Sequence, residues 1–281
     1  GRDDFSPLNA FDEFKELVVS SGAEIAREDF SKQAKPTSGL FISKGKAERI
    51  KDFVNETESE LVIFNHELTP SQERNLENIF KARVLDRTGL ILDIFAERAS
   101  SHIGKLQVEL AQLSHLSTRL VRGWSHLERQ KGGIGLRGPG ETQLETDRRL
   151  INQRIKNIKN RLNKSHKQRE VNRYSRNKGN QTLVALVGYT NAGKTTLFNL
   201  LTESQLYAAD KLFATLDSVT RKNSVTGLDD ILFSDTVGFI SNLPTELIES
   251  FKATLDELKS ADLLIHVVDI SDPDFIYKTE Q

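Results

Sequence analysis

A glycine-rich stretch that follows a short apolar run has the composition of a phosphate-binding loop. Residues 182–201 read TLVALVGYTNAGKTTLFNLL. In this stretch Gly188, Gly193, Lys194 and Thr195 have the Gly-x4-Gly-Lys-Thr spacing of a P-loop. The pattern predicts a strand, a loop and a helix, so backbone N–H groups would surround phosphates at a helix N-terminus. Lys194 would add a charge to the β- and γ-phosphates, and the Thr195 hydroxyl would bind Mg²⁺.

The stretch LFSDTVGFISNLP at 232–244 resembles the second switch of a GTPase. Asp235 would end a strand and hold water bound to Mg²⁺, and Gly238 would offer its N–H to a γ-phosphate. Phe239 stands where many such enzymes carry a glutamine that orients the attacking water, and a phenyl ring cannot do this. We therefore expect slow intrinsic hydrolysis that depends on positioning and charge stabilisation by the remaining groups.

The segment LFATLDSVTRKNSV at 212–225 is a candidate first switch, which would close over the γ-phosphate. Thr215 and Thr220 could each bind Mg²⁺, and spacing alone does not choose between them. The run ADLLIHVVDIS at 261–271 predicts a buried strand with His266 in the core. The sequence has no Asn-Lys-x-Asp segment to read guanine, so we expect the chain to be a fragment whose base preference cannot be read from its residues.

Two apolar stripes at helical spacing predict two long helices in an antiparallel hairpin. The first stripe is Leu106, Leu110, Leu113 and Leu120, and the second is Ile151, Ile155, Ile158 and Leu162. Five glycines and a proline within 132–140 separate them, a composition that predicts a break in the helices. This loop could be a flexible turn, or a backbone-rich probe that approaches nucleic acid closely; we favour the probe, because a simple reversal needs only a few residues.

The second of these helices is strongly basic, although the whole chain has 39 Lys and Arg against 40 Asp and Glu. Residues 148–178 hold 12 Lys or Arg and the single acid Glu170. Such a run could be a solvated face, but like charges repel along a helix and contact with phosphates explains it better. Residues 172–181 lose the apolar pattern and predict a linker. The candidate RNA contacts are Lys131, Arg137, Arg149, Lys156, Arg161, Lys164, Lys167 and Arg169.

The first hundred residues alternate helical patterns with short β-rich runs, which predicts a small parallel α/β layer. His66 and Glu67 are interpreted as loop residues rather than metal ligands. Thr69 and Pro70 have the residue types that begin a helix. The predicted helices are 8–21, 44–55 and 70–80, and the predicted strands are 38–43, 60–65 and 82–87.

Composition excludes several classes of protein. The 281 residues are enough for two or three domains, and the absence of cysteine excludes disulfides and thiolate metal sites. No apolar run reaches the roughly 18 residues of a spanning helix, and the N-terminus lacks a signal-peptide core. We expect a monomeric cytoplasmic protein.

Six blocks in the same order make the sequence similar to the HflX family of translational GTPases. The blocks are LDRTGLILDIFAERA (85–99), GKLQVELAQL (104–113), GGIGLRGPGETQLETDRR (132–149), GYTNAGKTTLFN (188–199), FATLD (213–217) and DTVGFI (235–240). The resemblance implies an α/β fold in three domains. These are a small N-terminal parallel α/β domain (1–100), a long antiparallel helical hairpin (101–180) and an incomplete P-loop GTPase domain (181–281).

The resemblance also implies a function. It implies GTP as substrate, Mg²⁺ as cofactor held by Thr195 and Thr215, and a large-ribosomal-subunit partner that stimulates hydrolysis. The protein would split stalled or idle ribosomes, particularly under stress, with its glycine-rich loop reaching towards the peptidyl-transferase region. A hydrophobic residue after Asp-x-x-Gly is usual in the family. Alternatives are an RNA chaperone or ribosome assembly factor, and a regulatory switch for a protein partner.

The expected catalytic residues are Lys194, Thr215 and Gly238. The expected nucleotide contacts lie in the P-loop and the two switches: Gly188, Tyr189, Thr190, Asn191, Ala192, Gly193, Lys194, Thr195, Thr196, Phe213, Ala214, Thr215, Leu216, Asp217, Asp235, Thr236, Val237 and Gly238.

Overall fold

The computed structural model of the chain describes residues 7–30, 35–130, 139–178, 181–206, 212–223, 231–273 and 275–280. Within these ranges, no helix is both long and apolar enough to cross a membrane. The elements, in chain order, are α1 Pro7–Ser20, α2 Lys44–Thr57, β1 Leu61–Phe64, α3 Pro70–Phe80, β2 Arg83–Asp86, α4 Arg87–Arg98, α5 His102–Gln130, α6 Pro139–Lys178, β3 Thr182–Val187, α7 Lys194–Thr202, β4 Val219–Lys222, β5 Ile231–Asp235, α8 Thr245–Leu258, β6 Leu263–His266 and α9 Phe275–Glu280.

The N-terminal region contains the predicted parallel pair of strands. β1 and β2 are parallel, with Leu61 opposite Arg83, and α2 and α3 pack beside them around buried Leu76 and Phe80. α3 begins where the sequence predicts: the Thr69 side chain accepts from the N–H of Gln72, whose own side chain accepts from the Thr69 N–H. His66 lies in the loop after β1, as predicted.

The predicted strand at 38–43 is wrong, and helix α4 is an element that the sequence analysis missed. Phe41 has a left-handed φ of 65° and bonds back to Thr37, which closes a turn instead of extending a strand. α4 begins at the end of β2 because the Asp86 side chain accepts from the N–H of Gly89 at 2.7 Å and caps the helix.

Helices α5 and α6 pack against each other as the predicted hairpin. Leu106 and Leu110 of α5 contact Ile158 and Leu162 of α6. Two corrections apply to the ends of α6. The helix already begins at Pro139, because proline suits the first turn. It continues to Lys178, through much of the predicted linker. Although this part lacks an apolar stripe, its Arg and Lys residues have high helix propensity. Residues 131–138 of the glycine-rich loop lie outside the described residues.

The C-terminal region is built on a four-stranded sheet in the order β4-β5-β3-β6. β3 is parallel to β5 and to β6, whereas β4 is antiparallel to β5. The strand predicted within 261–271 is present as β6, but its predicted burial is wrong. Leu263 and Leu264 are 54% and 51% exposed, and His266 is exposed rather than in the core. The physical reason is that β6, among the strands that the structure describes, pairs only with β3 and so forms an edge of the sheet.

The largest apolar cluster, here called the shared core, joins distant parts of the chain. It contains Leu17 of α1, Ile91 and Phe95 of α4, and Ala111 of α5. It also contains residues from both predicted switches and from α8: Leu212, Phe213, Leu216, Ile240, Leu247 and Phe251. The two switches are therefore packed directly on the N-terminal region and the hairpin.

Candidate nucleotide-binding site

The P-loop connects the end of β3 to the start of α7. Gly188 has a φ of 146°, and a side chain there would meet the carbonyl oxygen of Val267. Asn191 and Gly193 both have a left-handed φ, 63° and 86°, which turns the chain into α7 at Lys194. Glycine is thus required at 188 because a side chain would collide with Val267, and it suits 193 because of the left-handed backbone there. The loop ends at a helix N-terminus, which favours anions.

The side chain of Lys194 reaches from the start of α7 back to the beginning of the P-loop. Its side chain is buried, and Nζ donates to the carbonyl oxygen of Tyr189 at 2.6 Å. Burial lowers the pKa of Lys194 to about 8, although the charge of Asp235 opposes this shift. An anionic phosphate in the loop would supply the negative charge that favours the protonated amine.

Three oxygen-bearing side chains converge beside Lys194. The hydroxyls of Thr195 and Thr215 lie 2.7 Å apart, and Thr195 donates to Asp235 Oδ2 at 2.7 Å. Asp235 is completely buried, which raises its pKa, and hydrogen bonds from Thr195 and Thr215 oppose that shift. Of the two candidate switch threonines, Thr215 therefore lies at the P-loop. Thr220 lies in β4 instead, where its hydroxyl is 3.4 Å from that of Ser234.

These three groups fit a small divalent cation. Mg²⁺ prefers oxygen ligands and is usually held by one or two protein groups together with phosphates and water. Thr195 and Thr215 offer hydroxyl oxygens at adjacent positions, and Asp235 offers a carboxylate within hydrogen-bonding distance of Thr195. The structure thus brings together the two hydroxyls expected to bind Mg²⁺ and the carboxylate expected to hold water bound to it.

The second switch is bound to the P-loop through its main chain. The Phe239 N–H donates to the Gly188 carbonyl oxygen at 3.0 Å, and the Thr190 N–H donates to the Phe239 carbonyl oxygen at 2.8 Å. A side chain at Gly238 would come within 2.6 Å of Thr190 Cα and 2.8 Å of Lys194 Nζ. Glycine is therefore required at 238 for this close approach. The Phe239 ring stands edge-on to the Tyr189 ring, with centroids 6.5 Å apart.

Other residues predicted to contact nucleotide have their side chains elsewhere. Phe213 and Leu216 are almost fully buried in the shared core, and Phe213 is edge-to-face with Phe95 at 4.6 Å. Thr236 donates to the Leu186 carbonyl oxygen inside the sheet, and Asp217 faces the residues before α5. Ala214 and Val237 are partly buried, and Val237 packs on the shared core. Nucleotide contact by these residues would have to use their main chain.

A cavity of about 320 Å³ opens beside the P-loop. Tyr189 to Ala192 line one side, and His266 and Asp269 line another. Its volume is at the lower end of the range for ligand pockets.

Comparison with sequence families matches three consecutive parts of the chain. Residues 9–96 match the family described as GTP-binding GTPase N-terminal, and residues 98–176 match GTP-binding GTPase Middle Region. Residues 183–281 match the family described as 50S ribosome-binding GTPase.

Curated relatives extend this match over nearly the whole chain. GTPase HflX of Escherichia coli strain K12 is 57% identical over 260 residues, which are 92% of this chain and 61% of that protein. GTPase HflX of Flavobacterium psychrophilum is 49% identical over 94% of this chain and 63% of its own length. The chain belongs to the HflX family of GTPases. It spans about three fifths of the length of these relatives.

Solved structures support the fold. A crystal structure of SsGBP in complex with GDP has a TM-score of 0.56 and 26% identity, covering 96% of this chain and 73% of that one. A GTP-binding protein from Sulfolobus solfataricus, also in complex with GDP, has a TM-score of 0.50 at 24% identity. It covers 96% of this chain and 71% of that one. This second likeness concerns the fold alone.

The sequence analysis missed the residues that hold the switches in place. Arg87 donates to Glu13 at 2.6 Å and to the Ser241 carbonyl oxygen at 2.9 Å, which ties the second switch to α1 and α4. Ser100 and Ser101 bind Asp217 of the first switch. No local pattern marks these residues, because their partners lie 74 to 154 positions away along the chain.

The candidate RNA contacts lie on α6 where the structure describes them. Arg149, Lys156, Arg161, Lys164 and Lys167 are exposed. The side chain of Arg169 lies outside the described part, and so do Lys131 and Arg137 of the glycine-rich loop.

Proposed function

We propose that the protein hydrolyses GTP and uses the cycle to bind the large ribosomal subunit and split stalled or idle ribosomes. The observation that carries the nucleotide part is the convergence of Lys194, Thr195, Thr215 and Asp235 at the end of the P-loop. One segment of known phosphate-binding geometry and two switches meet at this point. The GTPase names of its relatives and the GDP bound by SsGBP favour guanine nucleotides.

In this proposal the P-loop binds the phosphates, and the other groups set the rate. The Lys194 amine would move from the Tyr189 carbonyl to the β- and γ-phosphates. Thr195 and Thr215 would hold Mg²⁺, and Asp235 would orient them. Mg²⁺, when bound, would neutralise charge on the phosphate oxygens. The Gly238 N–H would donate to the γ-phosphate once the second switch leaves its present bonds to Gly188 and Thr190.

Phe239 makes this arrangement slow without a partner. Its ring cannot orient a water molecule, and its main chain bonds to the P-loop. Positioning and charge stabilisation dominate phosphoryl transfer, so hydrolysis would persist at a low rate. In related enzymes, a group supplied from outside accelerates hydrolysis by about 10³–10⁵-fold. We propose that the large ribosomal subunit plays this part.

The hairpin is the proposed ribosome-binding element. The exposed cations on α6 project from the helix into solvent, while its apolar side chains pack on α5. A rod of positive charge suits RNA phosphates, which are the main source of affinity in such interfaces. The description 50S ribosome-binding GTPase, given for the family that matches residues 183–281, favours the large subunit as the source of this RNA.

The decisive experiment mixes the complete protein with intact ribosomes and GTP and separates the products on a density gradient. Splitting predicts loss of intact ribosomes and a matching gain of subunits. The Lys194→Ala variant, which should bind GTP poorly, serves as the inactive control. Binding to isolated large subunits without loss of intact ribosomes would instead support the RNA chaperone or assembly factor. No binding to subunits would favour a switch for a protein partner.

The basic helix is tested by salt. Neutralising several phosphates makes affinity fall steeply as salt rises, with a slope of about −0.7 to −0.9 per phosphate in log units. Reversing the charges of Arg161, Lys164 and Lys167 together should flatten this slope for large subunits. Arg154 provides the control, because its guanidinium is already bound to Glu109 at 2.6 Å. An unchanged slope in the triple variant would assign the contact to another surface.

The glycine-rich loop is tested by its removal. Deleting 132–140 and joining α5 to α6 by a short turn should preserve binding to large subunits but abolish splitting, because the charged helix docks and the loop enters the ribosome. Full splitting after this deletion would reduce the loop to a connector.

A further inference from the structure

The carboxylate of Asp217 accepts hydrogen bonds from the two residues that precede α5. Asp217 Oδ2 accepts from the Ser100 N–H at 3.0 Å, the Ser100 hydroxyl at 2.8 Å and the Ser101 N–H at 2.7 Å. Oδ1 accepts from the Ser101 hydroxyl. One carboxylate of the first switch thus receives four hydrogen bonds from two adjacent residues, 117 and 116 positions away along the chain.

The start of α5 is shaped to accept this carboxylate. The Ser101 hydroxyl also accepts from the Gly104 N–H at 2.8 Å, so it links the Asp217 carboxylate to the first turn of the helix. A side chain at Gly104 would collide with Asp217 Oδ1, which explains glycine at this position. The N-terminus of α5 further favours a negative charge there. Burial would raise the pKa of Asp217, but the hydrogen bonds from Ser101 and Ser100 outweigh it and lower the pKa.

Asp217 is only two residues beyond Thr215, and four of the five side chains from 213 to 217 have defined partners. Phe213 and Leu216 are buried in the shared core. The Thr215 hydroxyl lies at Thr195, and the Asp217 carboxylate lies at Ser100 and Ser101. The position of Thr215 is therefore fixed on one side by the P-loop and on the other side by the base of the hairpin.

We propose that Asp217 is a positioning residue for GTP hydrolysis, which ties the first switch to the N-terminus of α5 so that the hairpin sets the position of Thr215. This inference rests on the proposed role of Thr215 at the nucleotide. A movement of α5 would change the position of Thr215 through this link, and ordering of Thr215 by nucleotide would in turn restrain α5, since coupling between two sites is reciprocal. Asp217 itself need not touch the nucleotide.

The test compares Asp217→Asn with wild type in the complete protein. The amide keeps the size of the side chain but removes its charge and half of its acceptor capacity. Loss of charge-assisted hydrogen bonds predicts a single-turnover GTP hydrolysis rate about tenfold lower. It also predicts that more Mg²⁺ is needed for half of the maximal rate. GDP affinity should stay within about twofold, because GDP has no γ-phosphate for the switch to close over.

Two further variants separate positioning from a loss of folding. Ser100→Ala removes one donor to Asp217 and should give a smaller slowing with the same rise in Mg²⁺ requirement. Combining it with Asp217→Asn should add less than the two separate effects, because both act on one contact. Asp262→Asn is the matched control: Asp262 also accepts from a backbone N–H, that of Leu183 at 2.8 Å, but at the far end of β3. It should leave hydrolysis and Mg²⁺ dependence unchanged.

Thr215→Ala distinguishes failure of this inference from failure of the proposed function. Slow hydrolysis in Thr215→Ala, with normal hydrolysis and Mg²⁺ dependence in Asp217→Asn, would overturn the inference alone. Normal hydrolysis in Thr215→Ala would overturn the role of Thr215 and the inference with it. The inference would also be overturned if Asp217→Asn lowered the melting temperature, the GDP affinity and the hydrolysis rate together. That pattern indicates only a structural role.

Discussion

The P-loop and the two switches meet at one site, but the chain positions them in different ways. Lys194 bonds to a residue five positions away, and the turns at Asn191 and Gly193 are set by their own backbone angles. The switches are held from far along the chain: Asp217 by residues before α5, and Ser241 by Arg87 of α4. The shape of the P-loop is thus set by local sequence, whereas the positions of the two switches depend on contacts with the N-terminal region and with the residues before α5.

The largest predicted effect compares two phenylalanines that are both almost fully buried. Phe213→Ala empties part of the shared core, and Phe198→Ala empties the cluster beneath the P-loop helix. Each should lower the free energy of unfolding by about 3–5 kcal/mol in a denaturant titration. Their effects on nucleotide should differ: Phe213→Ala slows hydrolysis but retains GDP affinity, and Phe198→Ala weakens GDP binding. Equal loss of GDP affinity in both variants would break the comparison.

The next effect concerns the P-loop alone. Lys194→Ala removes a hydrogen bond from a charged group to phosphate, a contribution of about 1.5–3 kcal/mol, so GTP affinity should fall roughly 10- to 100-fold. Stability should be retained, because burial already disfavours the charged amine. Binding of a fluorescent GTP analogue and thermal melting measure the two. Lys222→Ala, in β4 and exposed, is the control that should change neither. If GTP affinity were unaltered in Lys194→Ala, the loop at 188–195 would not be the phosphate-binding loop.

A smaller effect is expected where the second switch joins the N-terminal region. Arg87→Lys replaces a forked guanidinium, which reaches Glu13, Asn65 and Ser241, by an ammonium that cannot match all three directions. Loss of about one charged hydrogen bond should lower the free energy of unfolding by roughly 1–2 kcal/mol and slow hydrolysis. GDP affinity should be unchanged.

Arg221→Lys is the control for this variant, since Arg221 is exposed on β4. The hydrogen bond described for its guanidinium goes to the carbonyl oxygen of the adjacent Thr220. Calorimetry and single-turnover kinetics on both variants make the comparison. A loss of GDP affinity in Arg87→Lys would mean that the N-terminal region also shapes the P-loop.

The smallest effect is predicted for Phe239→Gln. The main chain of residue 239 is fixed by its bonds to Gly188 and Thr190, and its side chain is directed at the Tyr189 ring. A glutamine in that direction would not be aimed at an attacking water. Single-turnover hydrolysis should therefore change by less than about threefold. Acceleration beyond about tenfold would show that the switch can aim an amide, and would attribute the low rate to Phe239 alone.

The sequence predicts the features that depend on neighbouring residues, and it does not predict the contacts between residues that are remote along the chain. The P-loop, the Thr69 cap of α3 and the apolar stripes of the hairpin depend on spacings of a few residues. The first two are found at the predicted positions, and Leu106, Leu110, Leu113, Ile155, Ile158 and Leu162 of the stripes pack together. Phe213 and Leu216 lie within a motif that resembles a nucleotide contact, yet their side chains pack on α4 and α8. No periodicity could show this, because the partner residues are remote in sequence.

The remaining errors also have physical causes. The run at 38–43 has strand composition, but the left-handed conformation of Phe41 makes it a turn. The apolar residues of β6 predict burial, but burial depends on the neighbouring strands and not on the strand itself. Of the candidate site residues, spacing leaves Thr215 and Thr220 equivalent, and only the tertiary structure places Thr215 beside Thr195.

The shared core also has a consequence for synthesis of the protein on a translating ribosome. Glu13 and Ser241 are 228 positions apart, and Leu17 and Phe95 pack with residues from 212 to 251. At translation speeds of about 5–20 residues per second, residues 212–251 are synthesised on the order of tens of seconds after α1 and α4. The apolar faces of α1 and α4 stay uncovered for that time. During that interval the nascent chain exposes surface prone to aggregation, so it should depend on chaperones that shield emerging chains until the second switch has left the exit tunnel.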